Sequence, residues 1–144
     1  MTHLTAAIFI ASMFDVSVVD GQPFCARLTK LSETSGRQTA TFELQSDGQN
    51  AVTCAPALGQ NGTRSLHCAW PFAYRSGQGA DAFDAMLVAV ADCAVQIPST
   101  PSKVNHPDSY DLRQFQMGTT TVSVSLKDKS ALSQTYLFLR VERP

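Results

Sequence analysis

Large apolar side chains alternate with small or polar ones around the single tryptophan of the chain. They occupy every second position, at Leu66, Cys68, Trp70, Phe72 and Tyr74. Because successive side chains of a strand point to opposite faces, this period of two predicts a strand over 66–74 with one apolar face. Pro71 lies inside it and has no N–H to donate to a neighbouring strand. The sequence therefore predicts a sheet edge or a bulge at Pro71.

The same alternation predicts five more strands. They cover residues 40–44, 52–54, 110–115, 122–126 and 137–141. Residues 127–130 (KDKS) are polar and predict the turn before the last of these strands. Residues 96–108 contain three prolines, which predicts a long surface loop.

A period of 3.6 residues replaces the period of two in two segments. After Pro23, the residues Phe24, Leu28 and Leu31 lie at i, i+4 and i+7, which predicts a first helix. The second predicted helix, over 80–94, carries an apolar stripe made of Phe83, Met86, Leu87, Val90 and Cys93. The predicted order is α-β-β-β-α-β-β-β. We therefore expect an α+β fold, with an antiparallel sheet of five to six strands and both helices packed on one face.

The N-terminal segment has the character of a secretory leader. Residues 4–14 (LTAAIFIASMF) are apolar, but a membrane-spanning helix needs roughly 20 such residues. A stretch of this length is typical of the apolar region of a signal peptide, although no Lys or Arg precedes it. The alternative is a buried first element of a cytosolic domain. We expect residues 1–21 to be a leader and residues 22–144 to form a single α+β domain.

Four cysteines follow the predicted leader, at Cys25, Cys54, Cys68 and Cys93. They include no Cys-x-x-Cys pair, which argues against a zinc site or a reactive dithiol. One pairing joins Cys54 to Cys68 across a turn and Cys25 to Cys93 between the helices, and it is favoured. The rival pairing joins Cys25 to Cys54 and Cys68 to Cys93, and four buried thiols are the cytosolic alternative. With the leader, the even count predicts an oxidising compartment, periplasmic or secreted.

The charge of the chain excludes one class of function. Eleven Lys and Arg against twelve Asp and Glu give a net charge of −1, and only 16 % of residues are charged. Such a chain has no broad electrostatic attraction for nucleic acid or for anionic lipid. We expect neither partner, and no stable membrane span.

No group of residues in the sequence has the spacing of a catalytic or metal site. The histidines His3, His67 and His106 lack carboxylates at ligand spacing, so no metal and no cofactor are expected. His106, Asp108 and Ser109 are near neighbours on the predicted loop, but catalytic triads are assembled in space rather than along one loop. We therefore expect a protein that is not an enzyme.

Contact with a partner is the function that remains. Tyr74 and Arg75 end the aromatic strand before a glycine-rich turn, and both residue types are favoured at the energetic centres of interfaces. The other candidate contact residues are His106 and Asp108 of the loop and Tyr110 after it.

The predicted order of elements resembles that of small secreted inhibitors built from halves of helix plus sheet. This resemblance concerns the fold alone, since one fold hosts unrelated functions. The small size, the predicted disulfides and the absence of a catalytic group favour a protein-binding module of inhibitor or immunity type. One alternative is a carrier that holds a small molecule or lipid between helices and sheet. A small hydrolase that uses His106 or Asp108 is the third hypothesis. The sequence does not define the oligomeric state.

Overall fold

The computed structural model describes residues 23–44, 51–59, 61–99 and 110–144. The predicted leader, residues 1–21, lies outside them. The first half contains helix α1 (Phe24–Thr34), strands β1 (Ala40–Glu43), β2 (Ala51–Leu58) and β3 (Arg64–Ala73), and helix α2 (Gly77–Ala91). The second half contains strands β4 (Val95–Ile97), β5 (Tyr110–Met117), β6 (Thr120–Lys129) and β7 (Gln134–Arg143), with a 3-10 turn (Ser130–Leu132) before β7.

The described strands form one antiparallel sheet in the order β1-β2-β3-β7-β6-β5-β4. The prediction of an α+β fold with an antiparallel sheet is confirmed. The prediction of five to six strands is wrong, because the sheet has seven, and the order becomes α-β-β-β-α-β-β-β-β. The missed strand is β4, which has three residues and ends at Pro98. A segment this short does not establish a period, and it overlaps the segment predicted as a loop.

Both helices cover the same face of the sheet. Strand residues in register form buried rows across it, the first made of Leu66, Val141, Val122 and Phe115 and the next of Cys68, Leu139 and Val124. Leu28 and Leu31 of α1 belong to the same apolar core, as do Phe83, Met86 and Val90 of α2. The opposite face of the sheet carries no helix among the described residues.

Strand β3 has two neighbours over only part of its length. It pairs with β7 from Arg64 to Ala73 but with β2 only from Arg64 to His67. The first half of β2 pairs with β1 instead. Pro71 therefore lies at a local edge, as its missing N–H requires.

The turn predicted over residues 127–130 is wrong, because β6 continues to Lys129 and the chain reverses over 130–133. Asp128 points into the protein, and its Oδ1 accepts a hydrogen bond of 2.6 Å from the Thr135 hydroxyl. A buried carboxylate that finds such a partner can be part of a strand in spite of its polarity. The strand predicted over 66–74 begins two residues earlier and ends one residue earlier, at Arg64 and Ala73, and Tyr74 belongs to the following turn.

All four cysteines form disulfides, in the pairing favoured from the sequence. Cys54 and Cys68 lie opposite each other on β2 and β3, with Cα atoms 4.2 Å apart. Cys25 in the first turn of α1 is bonded to Cys93 after α2, with Cα atoms 5.4 Å apart. In the described ranges, no helix has the length and the apolar character needed to cross a membrane.

Candidate functional site

The structure places three of the five predicted contact residues. Tyr74 and Arg75 form the turn between β3 and α2, and Tyr110 begins β5. His106 and Asp108 lie outside the described residues. Tyr110 is three strands away from β3, a separation of about 14 Å at the usual strand spacing. The predicted residues therefore belong to two different surfaces.

Arg75 is held in the turn by its backbone and by its side chain. It adopts a left-handed conformation with φ 53°, which is uncommon for a residue with a side chain. Its N–H donates to the Thr135 hydroxyl at 2.8 Å, and its Nε donates to Asp128 Oδ2 at 3.1 Å. The guanidinium lies 5.0 Å from the ring centroid of Tyr74. The Arg75 side chain remains 54 % exposed, so the turn presents a cation with an aromatic ring in a fixed position.

An open groove of about 940 Å³ runs beside this turn, between α2 and the second half of β3. We call it the α2 groove. Phe72 of β3 and Met86 of α2 are among its apolar residues, and Gln78 and Asp81 add polar groups from α2. Ala85 of α2 also lines it, and its small side chain leaves open space above the helix on this side. The groove exists because β2 leaves β3 before Pro71.

Backbone strain is concentrated at one end of this groove. Among the described residues other than glycine, only Arg75 and Ser133 have a positive φ, and Ser133 lines the groove. Such conformations persist where the surrounding structure enforces them, and they are found preferentially at functional sites. The hydrogen bonds from Arg75 to Thr135 and Asp128 are the structure that enforces the first of them.

The face of the sheet opposite the helices is the second surface, and we call it the open face. Its side chains form rows across β3, β7, β6 and β5, namely His67–Arg140–Ser123–Gln114, Ala69–Phe138–Ser125–Leu112 and Pro71–Tyr136–Lys127–Tyr110. A depression of about 450 Å³ lies on this face. The described residues that line it include Lys127, Lys129 and Arg140 but no Asp or Glu.

His67 lies on the open face beside Arg140 and Ser65. Burial is the main cause that lowers the pKa of its imidazole, and the charge of Arg140 lowers it further, while Glu142 acts in the opposite direction. The Ser65 hydroxyl is 3.0 Å from His67 Nε2, but only 3 % of Ser65 is exposed. A nucleophile must be accessible to substrate, so this pair does not form a hydrolase site.

Metal binding has equally little support. Among the residues that the structure describes, no three His, Cys, Asp or Glu side chains gather as metal ligands would. Both surfaces carry rings, apolar side chains and charges.

Sequence reasoning missed the cations of the open face. Lys127 and Lys129 fell in the segment predicted as a turn, although both continue the alternation of β6. Arg140 alternates with buried leucine and valine in β7, and this alternation was the available signal. Only the pairing of β6 with β7 brings these residues to one surface.

Comparison with known proteins identifies no relative of this chain. The chain matches no family model, no curated protein and no solved structure.

Proposed function

We propose that this chain is a protein-binding module of an oxidising compartment, periplasmic or secreted. The observation that supports it best is the fixed pair of Tyr74 and Arg75, with Arg75 exposed, in a turn whose neighbours Ala73 and Gln78 line the α2 groove. Tyrosine and arginine are enriched among residues that dominate binding energy. A contact surface that is already ordered loses less conformational entropy on binding.

The groove and the turn together define what such a partner must present. We expect a protein that inserts an apolar side chain between Phe72 and α2 and that contacts Arg75 with a carboxylate or a carbonyl oxygen. The two disulfides support the compartment, since such bonds persist where the surroundings are oxidising.

The carrier hypothesis has weaker support. It requires enclosed space between the helices and the sheet. The α2 groove is open, and beside it the interior is filled by the buried side chains of Trp70, Leu137, Leu139, Met86 and Val90. The hydrolase hypothesis depends on His106 or Asp108, and both lie outside the described residues.

Capture of a partner by matched variants tests the proposal. The protein is immobilised and exposed to envelope and secreted fractions of its source organism, and the affinity of any retained protein is then measured with purified components. Arg75→Ala is expected to weaken binding at least tenfold, which corresponds to about 1.4 kcal/mol. Ala85→Lys, which fills the groove, is expected to have a similar effect.

Two control variants make this result specific. Val88→Lys adds the same charge to an exposed position of α2 outside the groove lining, and Arg37→Ala removes an exposed arginine elsewhere. Both should bind the partner as the unmodified protein does. Equal retention by all four variants would place the contact on another surface. Recovery of a small molecule and no protein would support the carrier instead.

A further inference from the structure

The open face differs from the rest of the molecule in its charge. Lys127, Lys129 and Arg140 line its depression without any carboxylate among the described lining residues, although the chain as a whole has a net charge of −1. Arg140 also donates to Glu142, which offsets part of its charge.

Helix α2, on the opposite side of the sheet, is acidic. It contains Asp81 and Asp84 and no Lys or Arg, Asp92 follows it, and all three residues are exposed. Helix α1 on the same side carries both signs, with Lys30 and Glu33 exposed. The carboxylates of α2 therefore lie across the sheet from the cations of the open face. A near-neutral protein can in this way present one cationic surface to an anionic partner.

Aromatic and aliphatic side chains lie between these cations. The rings of Tyr136 and Phe138 are stacked with centroids 5.7 Å apart. Lys127 Nζ lies 5.6 Å from the ring centroid of Tyr110. Leu112 lies in the same row as Phe138, separated from it by Ser125. A ligand that fits this surface therefore needs apolar groups as well as negative charge.

The spacing of the charges indicates an extended ligand. Ser123, which is in register with Arg140, lies six residues before Lys129 on the same strand, about 20 Å at the usual rise per residue. One small carboxylate cannot reach both ends. An acidic polysaccharide would leave Leu112 and Phe138 without apolar partners, whereas a polypeptide supplies carboxylates and apolar side chains together.

We propose that the open face binds an acidic extended segment of a partner protein, one that turns both carboxylate and apolar side chains towards this face. Its carboxylates pair with Lys127, Lys129 and Arg140, and its apolar side chains cover Phe138 and Leu112. This inference deepens the proposed function, since it takes the partner to be a protein, but it concerns a surface distinct from the α2 groove.

A synthetic peptide tests this surface without the natural partner. A fluorescent peptide of repeated Glu-Glu-Phe-Phe, which presents both residue types on each side when extended, is titrated with the full protein. Its polarisation is followed at low and at physiological ionic strength. A peptide of repeated Lys-Lys-Phe-Phe is the matched probe. We expect the acidic peptide to bind at least about tenfold more tightly than the basic one, and more weakly as salt rises.

Charge reversal identifies the surface. Lys127→Glu with Lys129→Glu is expected to weaken binding of the acidic peptide about tenfold. Lys30→Glu with Arg37→Glu changes the net charge equally at exposed positions away from the open face and should leave binding within about twofold. Lys129→Glu alone provides a second variant if the double variant unfolds, and a smaller loss in the same direction is expected from it.

The outcomes separate this inference from the proposed function. Absence of binding by the unmodified protein, equal binding of the two peptides, or equal losses in both double variants would overturn it. Arg75→Ala, which tests the groove, should leave peptide binding unchanged. If the capture experiment retains no protein partner but the acidic peptide still binds, only the proposal for the groove is contradicted.

Discussion

Asp128 connects the end of β6 to the start of β7 and to the Tyr74–Arg75 turn. Its two oxygens accept hydrogen bonds from Thr135 and from Arg75, and only 10 % of its side chain is exposed. Removal of a buried acceptor leaves its donors without partners, which costs more than the net value of the bonds themselves. The position of Arg75 therefore depends on a residue far from it in the sequence.

We predict that Asp128→Ala lowers the free energy of unfolding by about 2 kcal/mol, as expected for loss of a buried acceptor with two donors. Urea denaturation followed by circular dichroism measures this change. Asp84→Ala, at an exposed position of α2, is the control and should change stability by less than about 0.5 kcal/mol. Equal stability of Asp128→Ala and the unmodified protein would show that Arg75 is held by its backbone alone.

His67 gives the stability of the protein a dependence on pH. Its pKa in the folded protein is below the ordinary value of 6.5, chiefly because of burial and then because of Arg140, against an opposing effect of Glu142. The unfolded chain therefore binds a proton more readily than the folded chain. The contribution of His67 to the free energy of unfolding is therefore complete above pH 6.5, and it is lost as the pH falls towards the pKa of the folded protein.

The corresponding experiment compares His67→Gln with the unmodified protein. Between about pH 7 and about pH 5, the free energy of unfolding should fall more steeply for the unmodified protein than for the variant. Urea denaturation at several pH values measures both slopes. Parallel curves would mean that His67 titrates alike in the folded and unfolded states.

For single residues, the sequence allowed the exposure of Arg75 to be predicted but not the burial of Asp128. The types of Tyr74 and Arg75 and their place after an aromatic strand indicated exposed contact residues, and the structure exposes Arg75. The burial of Asp128 was not predictable, because the donors that compensate its desolvation come from β7 and from the turn after β3.

At the scale of elements, the disulfides tie together parts that packing alone holds less firmly. One bond crosses two neighbouring strands at a sequence separation of 14, and the other joins the two helices at a separation of 68. In the chain-entropy model, closing loops of these lengths stabilises the folded state by about 3 and about 4 kcal/mol.

Reduction is accordingly expected to lower the melting temperature markedly, because it removes both restraints on the unfolded chain. Scanning calorimetry with and without reductant measures the shift, and thiol titration of the native protein should detect no free thiol. Cys25→Ala with Cys93→Ala should reproduce part of the shift. A melting temperature that does not respond to reductant, or four reactive thiols in the native protein, would contradict this expectation.

Elements whose hydrophobic pattern extends over many residues were predictable, and short elements were not. The alternation along β3, β6 and β7 and the stripe of α2 each extend over many residues, so chance similarity is small. Strand β4 has three residues, and its place in the sheet depends on pairing with β5 rather than on its own pattern. The predicted end of β6 was wrong because the three charged residues at 127–129 are also typical of a turn.

At the scale of the whole molecule, the sequence predicted one covered and one solvent-exposed face of the sheet, and the structure has both. It did not predict that Lys127, Lys129 and Arg140 gather on the exposed face while α2 on the other side carries carboxylates and no Lys or Arg. That separation arises from the sheet order, in which β7 lies between β3 and β6 although it is last in the chain. Topology of this kind is not encoded in any local pattern.

The bond between Cys25 and Cys93 closes a covalent ring that also contains the Cys54–Cys68 bond. A single break of the main chain inside this ring leaves both pieces attached to each other. The Tyr74–Arg75 turn lies within the ring, whereas Lys127, Lys129 and Arg140 belong to the linear part that follows it. In surroundings that contain proteases, the turn thus stays joined to its scaffold after a cut, while one cut after Cys93 leaves the cationic strands held only by hydrogen bonds and packing.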